Sequence, residues 1–228
     1  FFSLANSLDF SVVRKTQSNQ MRLEALLFGQ AGLLKEDFED AYYINLVKEY
    51  QLLKQKFNLK KEQVLPVQFF RLRPPNFPTI RLSQLANLYH QNQNLFSKVN
   101  EINELEHFYE LFSVPTSEYW KTHYTFQKSS KASAKQLSKP FIDLLLINTI
   151  LPVKFYYNKL LGEEIDCTIV KTASQIKPEK NNITQAYNNL RKVSKSSLES
   201  QALIQLKTEY CNKNNCLKCA IGNQLLSE

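Results

Sequence analysis

The sequence predicts an all-α protein, a single irregular multi-helix domain spanning residues 1–228 with at most one short extended segment near residues 64–73. Two observations favour this fold class. Glycine occurs only four times in 228 residues, so the chain has few of the residues that tight β-hairpins need at positive φ. Apolar residues also recur at helical spacing along much of the chain. Connected helices are therefore the expected architecture.

Two helices are expected in the first sixty residues. Gln20 to Phe28 forms a short helix that Gly29 and Gly32 end. A longer helix is predicted from Asp37 to Phe57, because its apolar residues line up on one face at 3.6 residues per turn. Acidic side chains in its first turn and lysines in its last complement the helix dipole. The stripe consists of Tyr42, Leu46, Tyr50, Leu53 and Phe57.

Prolines shape the next segment. Val64 to Arg73 lies beside Pro74, Pro75 and Pro78, so its backbone is predicted to be extended. Helix resumes at Pro78, since proline suits a first helical turn. The apolar stripe of this helix is Leu82, Leu85, Ala86 and Tyr89.

Shorter elements follow. Helices are predicted for residues 102–112, 117–124 and 182–193, and a mobile Lys/Ser/Ala loop for residues 128–139. Ser196 and Glu199 have the spacing of a capping box. They open a helix with one apolar face, formed by Leu198, Ala202, Leu206 and Tyr210.

The hydrophobic centre of the chain runs from Phe141 to Leu161, and its most apolar part is Phe141 to Tyr157. It is expected to kink near Pro152 and to stop at Gly162. Its first part also contains Asp143, Asn148 and Lys154, which a membrane span of about 20 apolar residues would not favour. A buried core helix is predicted instead, and no membrane partner is expected.

Charge and cysteine content indicate the setting. The chain has 29 Lys and Arg against 21 Asp and Glu, a net charge of +8, which suits an anionic partner such as nucleic acid. Four cysteines do not make a disulfide scaffold, and no signal peptide opens the sequence, so a reduced, cytoplasmic location is expected. Because the sequence starts Phe1-Phe2-Ser3-Leu4 without Met, we expect the C-terminal part of a longer protein.

Five motifs carry a resemblance to a known family. In order they are LLFGQAGLL (26–34), FRLRPPNFPTIRLSQLA (70–86), YWKTHYTF (119–126), INTILP (147–152) and SQALIQLKTEYCNKNNCLKCAIG (200–222). They resemble the C-terminal half of the uncharacterised bacterial domain-of-unknown-function family numbered 2851. The resemblance implies a missing N-terminal half as a partner. The carboxylate and histidine pattern of that half is similar to metal-dependent nuclease-like folds.

The first candidate site is the proline-rich segment around Arg71, Arg73 and Arg81. In an extended segment Arg71 and Arg73 project from one face, and Arg81 lies in the first turn of the following helix. Two guanidinium groups beside a helix start can bind a phosphate or a carboxylate, so these three arginines are predicted to form an anion- or nucleic-acid-binding site. The alternative is structural: the arginines clamp the loop by bonding buried carbonyls or acids such as Glu104 or Glu106.

The second candidate site consists of Cys211, Cys216 and Cys219. Thiolates at this spacing can converge on zinc or an iron–sulfur cluster, and nearby Lys207, Lys213 and Lys218 favour the thiolate form. The spacing differs from the four-cysteine loops of cluster-bearing DNA repair glycosylases. The alternative is three reduced cysteines packed as small apolar residues. A fourth ligand is left open among Cys167, His90, His107 and His123.

A third group combines aromatic and basic residues. Aromatic side chains beside lysines can stack on bases and meet phosphates, whereas an aromatic helix stripe is more often part of a core and a Lys/Ser loop is more often solvated. The group consists of Trp120, His123, Tyr124 and Phe126, followed by Lys128, Lys131, Lys135 and Lys139.

No catalytic constellation is recognisable in the sequence. It has no phosphate-binding glycine loop, nucleophile elbow or H-E-x-x-H motif, and paired carboxylates such as Glu163 and Glu164 are typical helix-end charges. The chain alone is therefore not expected to be an active enzyme. Three hypotheses remain: a nucleic-acid-associated accessory domain, a protein-interaction and structural domain whose arginines are buried and paired, or a zinc or iron–sulfur domain whose metal is the functional element.

Overall fold

A computed structural model describes residues 2–60, 63–162 and 167–226. Within these ranges the chain is mainly helical and has no strand beyond one isolated bridge between His123 and Ser129. The all-α prediction is therefore confirmed. Glu163 and Glu164, expected to be helix-end charges, lie outside the described residues. Among the helices that the structure describes, none is both long enough and apolar enough to cross a membrane.

The described part of the chain forms a series of α-helices separated by turns and by loops of different lengths. In chain order they are α1 (Phe2–Asn6), α2 (Phe10–Thr16), α3 (Gln20–Gln30), α4 (Ala41–Phe57), α5 (Pro78–Gln91), α6 (Leu95–Glu101), α7 (Leu105–Phe112), α8 (Glu118–Lys121), α9 (Lys139–Leu145), α10 (Leu151–Leu160), α11 (Cys167–Gln175), α12 (Asn182–Leu190), α13 (Ser197–Gln205) and α14 (Ala220–Leu226).

The backbone divides into two compact units. The first comprises residues 1–97 and 111–138, and the second comprises residues 98–110 and 139–228. The single-domain prediction stays a prediction, because two compact units can still unfold as one cooperative domain.

The core of the first unit is built on α3. The helix continues to Gln30, so the expectation that Gly29 ends it was wrong. A Cβ atom on Gly29 would lie 2.1 Å from the Tyr50 ring of α4, so glycine is needed there for close helix packing. Gly32, at φ +77°, follows the helix in the left-handed conformation that glycine tolerates.

Helix α4 starts later than the sequence indicates. Its N-cap is Asp40, whose side chain accepts a hydrogen bond from the backbone N–H of Tyr43 at 2.9 Å. A short polar side chain competes for backbone N–H groups in this way and favours a cap over a helix interior. The predicted start at Asp37 was therefore wrong, although Leu46, Tyr50 and Leu53 of the predicted stripe are buried.

The most apolar segment forms α9 and α10, joined by a π-helical turn at Leu146–Ile150. This turn precedes Pro152, which lacks the N–H of a regular helical hydrogen bond, so the irregularity expected near Pro152 is confirmed. Only one face of the segment is buried. Its other side exposes Leu144, Val153, Phe155, Tyr156, Leu160 and Leu161, so the prediction of a buried core helix was wrong for this face.

Helix α13 begins as predicted but buries a different face. The capping box between Ser196 and Glu199 is present. The buried side chains, however, are Ser197 and Ser200, while Leu198 is exposed. The Ser197 hydroxyl donates to the Ala173 carbonyl at 2.6 Å, so close packing on α11 uses small hydroxyl side chains. The apolar residues are left on the outside.

Candidate functional site

Arg71 lies in a tight turn on the surface of the first unit. The backbone N–H of Leu72 donates to the Phe69 carbonyl at 3.1 Å, and Arg71 has a positive φ of +62°. This conformation is uncommon outside glycine and costs about 1–2 kcal/mol. The turn interrupts the expected extended segment, so the prediction that Arg71 and Arg73 share one face of a strand was wrong.

The turn presents an aromatic ring and a guanidinium together. Phe70 is 77% exposed, and the Arg71 guanidinium lies over its ring at 5.1 Å from the centroid. A cation–π contact at an exposed site contributes only about 0.5–1 kcal/mol. Both groups therefore remain available to a partner.

Arg73 follows two residues later and is also exposed. Its carbonyl accepts the N–H of Asn76 at 2.8 Å, which closes the 3₁₀ turn Pro74–Asn76. Among the described residues neither Arg71 nor Arg73 forms an ion pair. These two cations are therefore open to solvent.

Arg81 has a different position. It is half-buried, and its guanidinium donates to Asn76 Oδ1 at 2.6 Å and to Gln84 Oε1 at 3.0 Å. Burial lowers the pKa of this side chain. Arg81 thus links the proline-rich loop to α5, which is the role that the structural alternative assigns to it. Its partners are the side-chain amide oxygens of Asn76 and Gln84. Glu104 and Glu106, the acids suggested for that role, pair with Lys171 and Lys139.

A cleft of about 290 Å³ adjoins the turn, because Phe69 both lines the cleft and begins the turn. This volume is at the small end of ligand pockets, which span roughly 300–1,000 Å³. Three phenylalanine rings give it a largely apolar character, and Lys35 and Glu36 add one charge of each sign. The lining residues are Gly32, Leu33, Lys35, Glu36, Phe38, Phe69, Thr79, Thr125 and Phe126. We call this arrangement, together with the Phe69–Leu72 turn, the turn–cleft site.

Aromatic packing supports the walls of the cleft. Phe69 contacts Phe77 edge-on at 5.1 Å, and Phe126 contacts Tyr43 in the same manner at 4.7 Å. The Thr79 hydroxyl donates to the Tyr124 carbonyl at 2.6 Å. The sequence had pointed to the arginines but not to this cleft, because Gly32, Phe38 and Phe69 meet only through tertiary folding.

The third predicted group is mostly structural. Trp120 is fully buried and stacks on Phe28 at 5.3 Å. The Lys135 ammonium is also buried, donating to the Trp120 and Lys121 carbonyls at 2.5 and 2.8 Å. Lys135 therefore anchors a segment that was expected to be a solvated loop. Lys128 and Lys131 remain exposed.

Glu24 is a buried carboxyl group that sequence reasoning missed. It accepts hydrogen bonds from the Tyr42 hydroxyl at 2.7 Å and from the Ser83 hydroxyl at 2.6 Å. Burial, its largest influence, raises the pKa of Glu24 above the ordinary value of 4.5. In the sequence, Glu24 is a single glutamate within the mainly apolar segment MRLEALLFG. Nothing in that segment indicates that its carboxyl group is buried.

Three of the four cysteines of the second unit line one hollow. Cys211, Cys216 and Cys219 share a cavity of about 250 Å³ with Tyr187, whose hydroxyl lies 3.7 Å from Cys211 Sγ. Burial and then the Cys211 contact raise the pKa of Tyr187. In the described part of the chain no three His, Cys, Asp or Glu side chains are placed to hold a metal ion. The zinc or iron–sulfur site stays a prediction, which elemental analysis of the purified chain tests.

Comparison with known proteins gives one match. A family model described as "Protein of unknown function (DUF2851)" matches residues 1–182. The matched span contains the turn–cleft site and ends before Cys211, Cys216 and Cys219. No curated protein and no solved structure matches the chain significantly.

Proposed function

The chain belongs to the family of proteins of unknown function DUF2851, and we propose that its first unit associates with nucleic acid, holding a single strand at the turn–cleft site. The observation that carries this proposal is the exposed pair of Phe70 and Arg71 beside an aromatic cleft. A ring that stacks on a base and a cation that meets a phosphate are the two elements of single-strand binding.

The distribution of charge supports an anionic partner for this unit. Lys and Arg outnumber Asp and Glu by 16 to 9 in the first unit and only by 13 to 12 in the second. The excess positive charge of the chain is therefore concentrated in the unit that has the arginine turn. A positive electrostatic potential raises the rate at which a polyanion associates with the protein, and added salt weakens this attraction.

Backbone strain at Arg71 also supports a functional turn. A left-handed arginine costs more than a glycine in the same place, and strained residues of this kind cluster at ligand-binding sites. The exposed cation–π contact between Arg71 and Phe70 contributes only about 0.5–1 kcal/mol and does not offset such a cost. The exposed guanidinium of Arg71 is thus better explained by an external ligand than by the stability of the loop.

A single strand is favoured over a duplex by the shape of the site. The Phe70 ring stands on the surface, and the adjacent cleft accepts one flat group between Phe38, Phe69 and Phe126. Bases can reach such surfaces only when they are unpaired. Direct reading of a duplex groove would need a protruding helix or ribbon, and the turn supplies neither.

The test is a fluorescence-anisotropy titration of the whole chain with matched single-stranded and duplex oligonucleotides of DNA and RNA. We expect micromolar or tighter binding of a single strand, with duplex binding weaker. Phe70→Ala should weaken single-strand binding about tenfold, because one stacked base contributes about 1–3 kcal/mol. The matched control is Leu65→Ala, which alters a 73% exposed side chain of the same loop. Equal affinities for the two variants would contradict the proposal.

A further inference from the structure

Helix α12 turns its apolar side chains outward. Among its residues only Thr184 is buried, and the Thr184 hydroxyl donates to the Glu179 carbonyl at 2.8 Å. The apolar residues recur at the spacing of one helix face, yet Leu190 is 87% exposed. The stripe consists of Ile183, Ala186, Tyr187 and Leu190. A stripe of this kind normally faces a core.

Two hollows meet along this stripe, because both are lined by Tyr187. The larger has a volume of about 380 Å³ and extends over Ile183, Ala186, Leu190 and Lys207. The smaller has about 250 Å³ and is bordered by Ile221 and Leu225 of α14, in addition to the three cysteines. We call the surface formed by these two neighbouring hollows the α12–α14 groove. Its lining is mainly apolar and open to solvent.

The groove has a defined shape. A Cβ atom on Gly222 would lie 2.3 Å from the Cys216 carbonyl oxygen, so glycine lets α14 pack directly on the Cys216 turn. A capping box at Asn181 and Thr184 fixes the start of α12. The exposed apolar residues are thus held by specific contacts.

The surroundings of the groove are basic. Residues 177–226 have eight Lys or Arg and three Asp or Glu, and no acidic residue lines either hollow. The three acids have local partners: Glu179 accepts from Gln201, Glu199 caps α13, and Glu209 pairs with Lys213. A partner with its own negative charge therefore complements this surface.

We propose that the α12–α14 groove binds an amphipathic helix of a protein partner, with apolar residues in the groove and acidic residues beside Lys207. An amphipathic helix can cover an open apolar groove with its apolar face, while its polar face stays in contact with solvent. A lone acyl chain fits an enclosed cavity better than this open surface. The inference does not depend on nucleic-acid binding, because it concerns different residues.

The experiment uses two synthetic helical peptides of about five turns. Both have leucine at i, i+3, i+4 and i+7, and one has glutamate and the other lysine at the flanking positions. Binding to the whole chain is measured by anisotropy. We expect the glutamate peptide to bind about tenfold more tightly than the lysine peptide, since opposite charges meet at the rim. Lys207→Glu should reverse that preference.

Leu190→Glu tests the apolar lining of the groove and should weaken binding of the glutamate peptide about tenfold or more. Leu160→Glu is its control, because Leu160 is 66% exposed and lies outside both hollows. Both substitutions concern exposed side chains, so folding is preserved.

The cysteines supply an independent readout. Bound peptide should slow alkylation of Cys211, Cys216 and Cys219 by iodoacetamide, whereas the exposed Cys167, which lines neither hollow, should react at an unchanged rate. The proposal is overturned if neither peptide binds, if the two bind equally, or if Leu190→Glu and Leu160→Glu behave alike. Protection of the three thiols by sodium laurate but not by the peptides would overturn it in favour of an acyl ligand.

Discussion

At the scale of single residues, Glu24 and Arg71 show most clearly how side chains depart from the roles that their sequence position indicates. Glu24 stands in an amphipathic pattern where a charge on the solvent side is expected, yet two hydroxyl groups hold it in the core. Arg71 stands in a proline-rich run where extended backbone is expected, yet it adopts a positive φ. Both positions depend on contacts made after the chain folds, which local patterns do not encode.

Glu24 makes the stability of the protein depend on pH. Because burial raises its pKa in the folded state, the folded protein keeps a proton that the unfolded chain releases at lower pH. The contribution of Glu24 to the free energy of unfolding should therefore be largest below the ordinary pKa of 4.5 and should be lost as the pH rises through the folded pKa.

The Glu24→Gln variant lacks this titration. It should lose less stability than the wild type between pH 4 and pH 7, as measured by urea unfolding at a series of pH values. Glu49→Gln, a substitution of a partly exposed glutamate on α4, is the comparison variant. A wild-type slope that Glu24→Gln leaves unchanged would show that the buried carboxyl is not the responsible group.

At the scale of elements, the helix starts marked by a proline or a capping box were predictable, whereas the start of α4 and several buried faces were not. Pro78 opens α5 and the Ser196–Glu199 capping box opens α13, since both signals act within one helical turn. The buried face of α13 was not predictable, because serine hydroxyls allow a closer approach to α11 than leucines would. The outward orientation of the apolar stripe of α12 was unpredictable for a similar reason. Periodicity indicates that a helix has an apolar face, but it does not indicate whether another element covers that face.

The packing of α3 on α4 leads to an element-scale prediction. Gly29→Ala places a methyl group where the Tyr50 ring lies, 2.1 Å away, so one of the two helices has to move. We expect a loss of about 1–3 kcal/mol or more in the free energy of unfolding, measured by denaturant titration.

Gly162→Ala provides the matched control. Gly162 has a positive φ of +76° but no atom within 4 Å of the added methyl group. Its substitution should cost only about 1 kcal/mol of backbone strain. If Gly29→Ala were no more destabilising than Gly162→Ala, the close approach of α3 and α4 would not be required for stability.

At the scale of the whole molecule, the chain passes between its two compact units three times. The passages occur after Ser97, after Glu110 and after Ser138, and the first two lie inside α6 and α7. A helix shared between two units links their unfolding, because melting it in one unit removes hydrogen bonds in the other. We therefore propose a single cooperative domain, as the sequence predicted.

Calorimetry tests this cooperativity. One heat-absorption peak, with a calorimetric enthalpy equal to the van't Hoff enthalpy, is the expected result for a single domain. Two separable transitions, or a van't Hoff enthalpy well below the calorimetric one, would show instead that the two units unfold independently.

The central claim concerns the first unit, whose excess positive charge and exposed Phe70–Arg71 pair point to a nucleic acid. The most direct measurement is the slope of log K against log salt concentration for a single-stranded oligonucleotide. Arg71→Gly with Arg73→Ala removes both cations while glycine keeps the left-handed turn. Arg14→Ala with Lys48→Ala removes the same charge from two exposed positions of the same unit.

Each lost phosphate contact lowers the slope for a single strand by about 0.7. The Arg71→Gly, Arg73→Ala variant should therefore show a slope smaller by about 1.4 and weaker binding, whereas the Arg14→Ala, Lys48→Ala variant should stay close to the wild type. Equal slopes for both variants, or no binding by the wild type even at low salt, would contradict a nucleic-acid site at this turn.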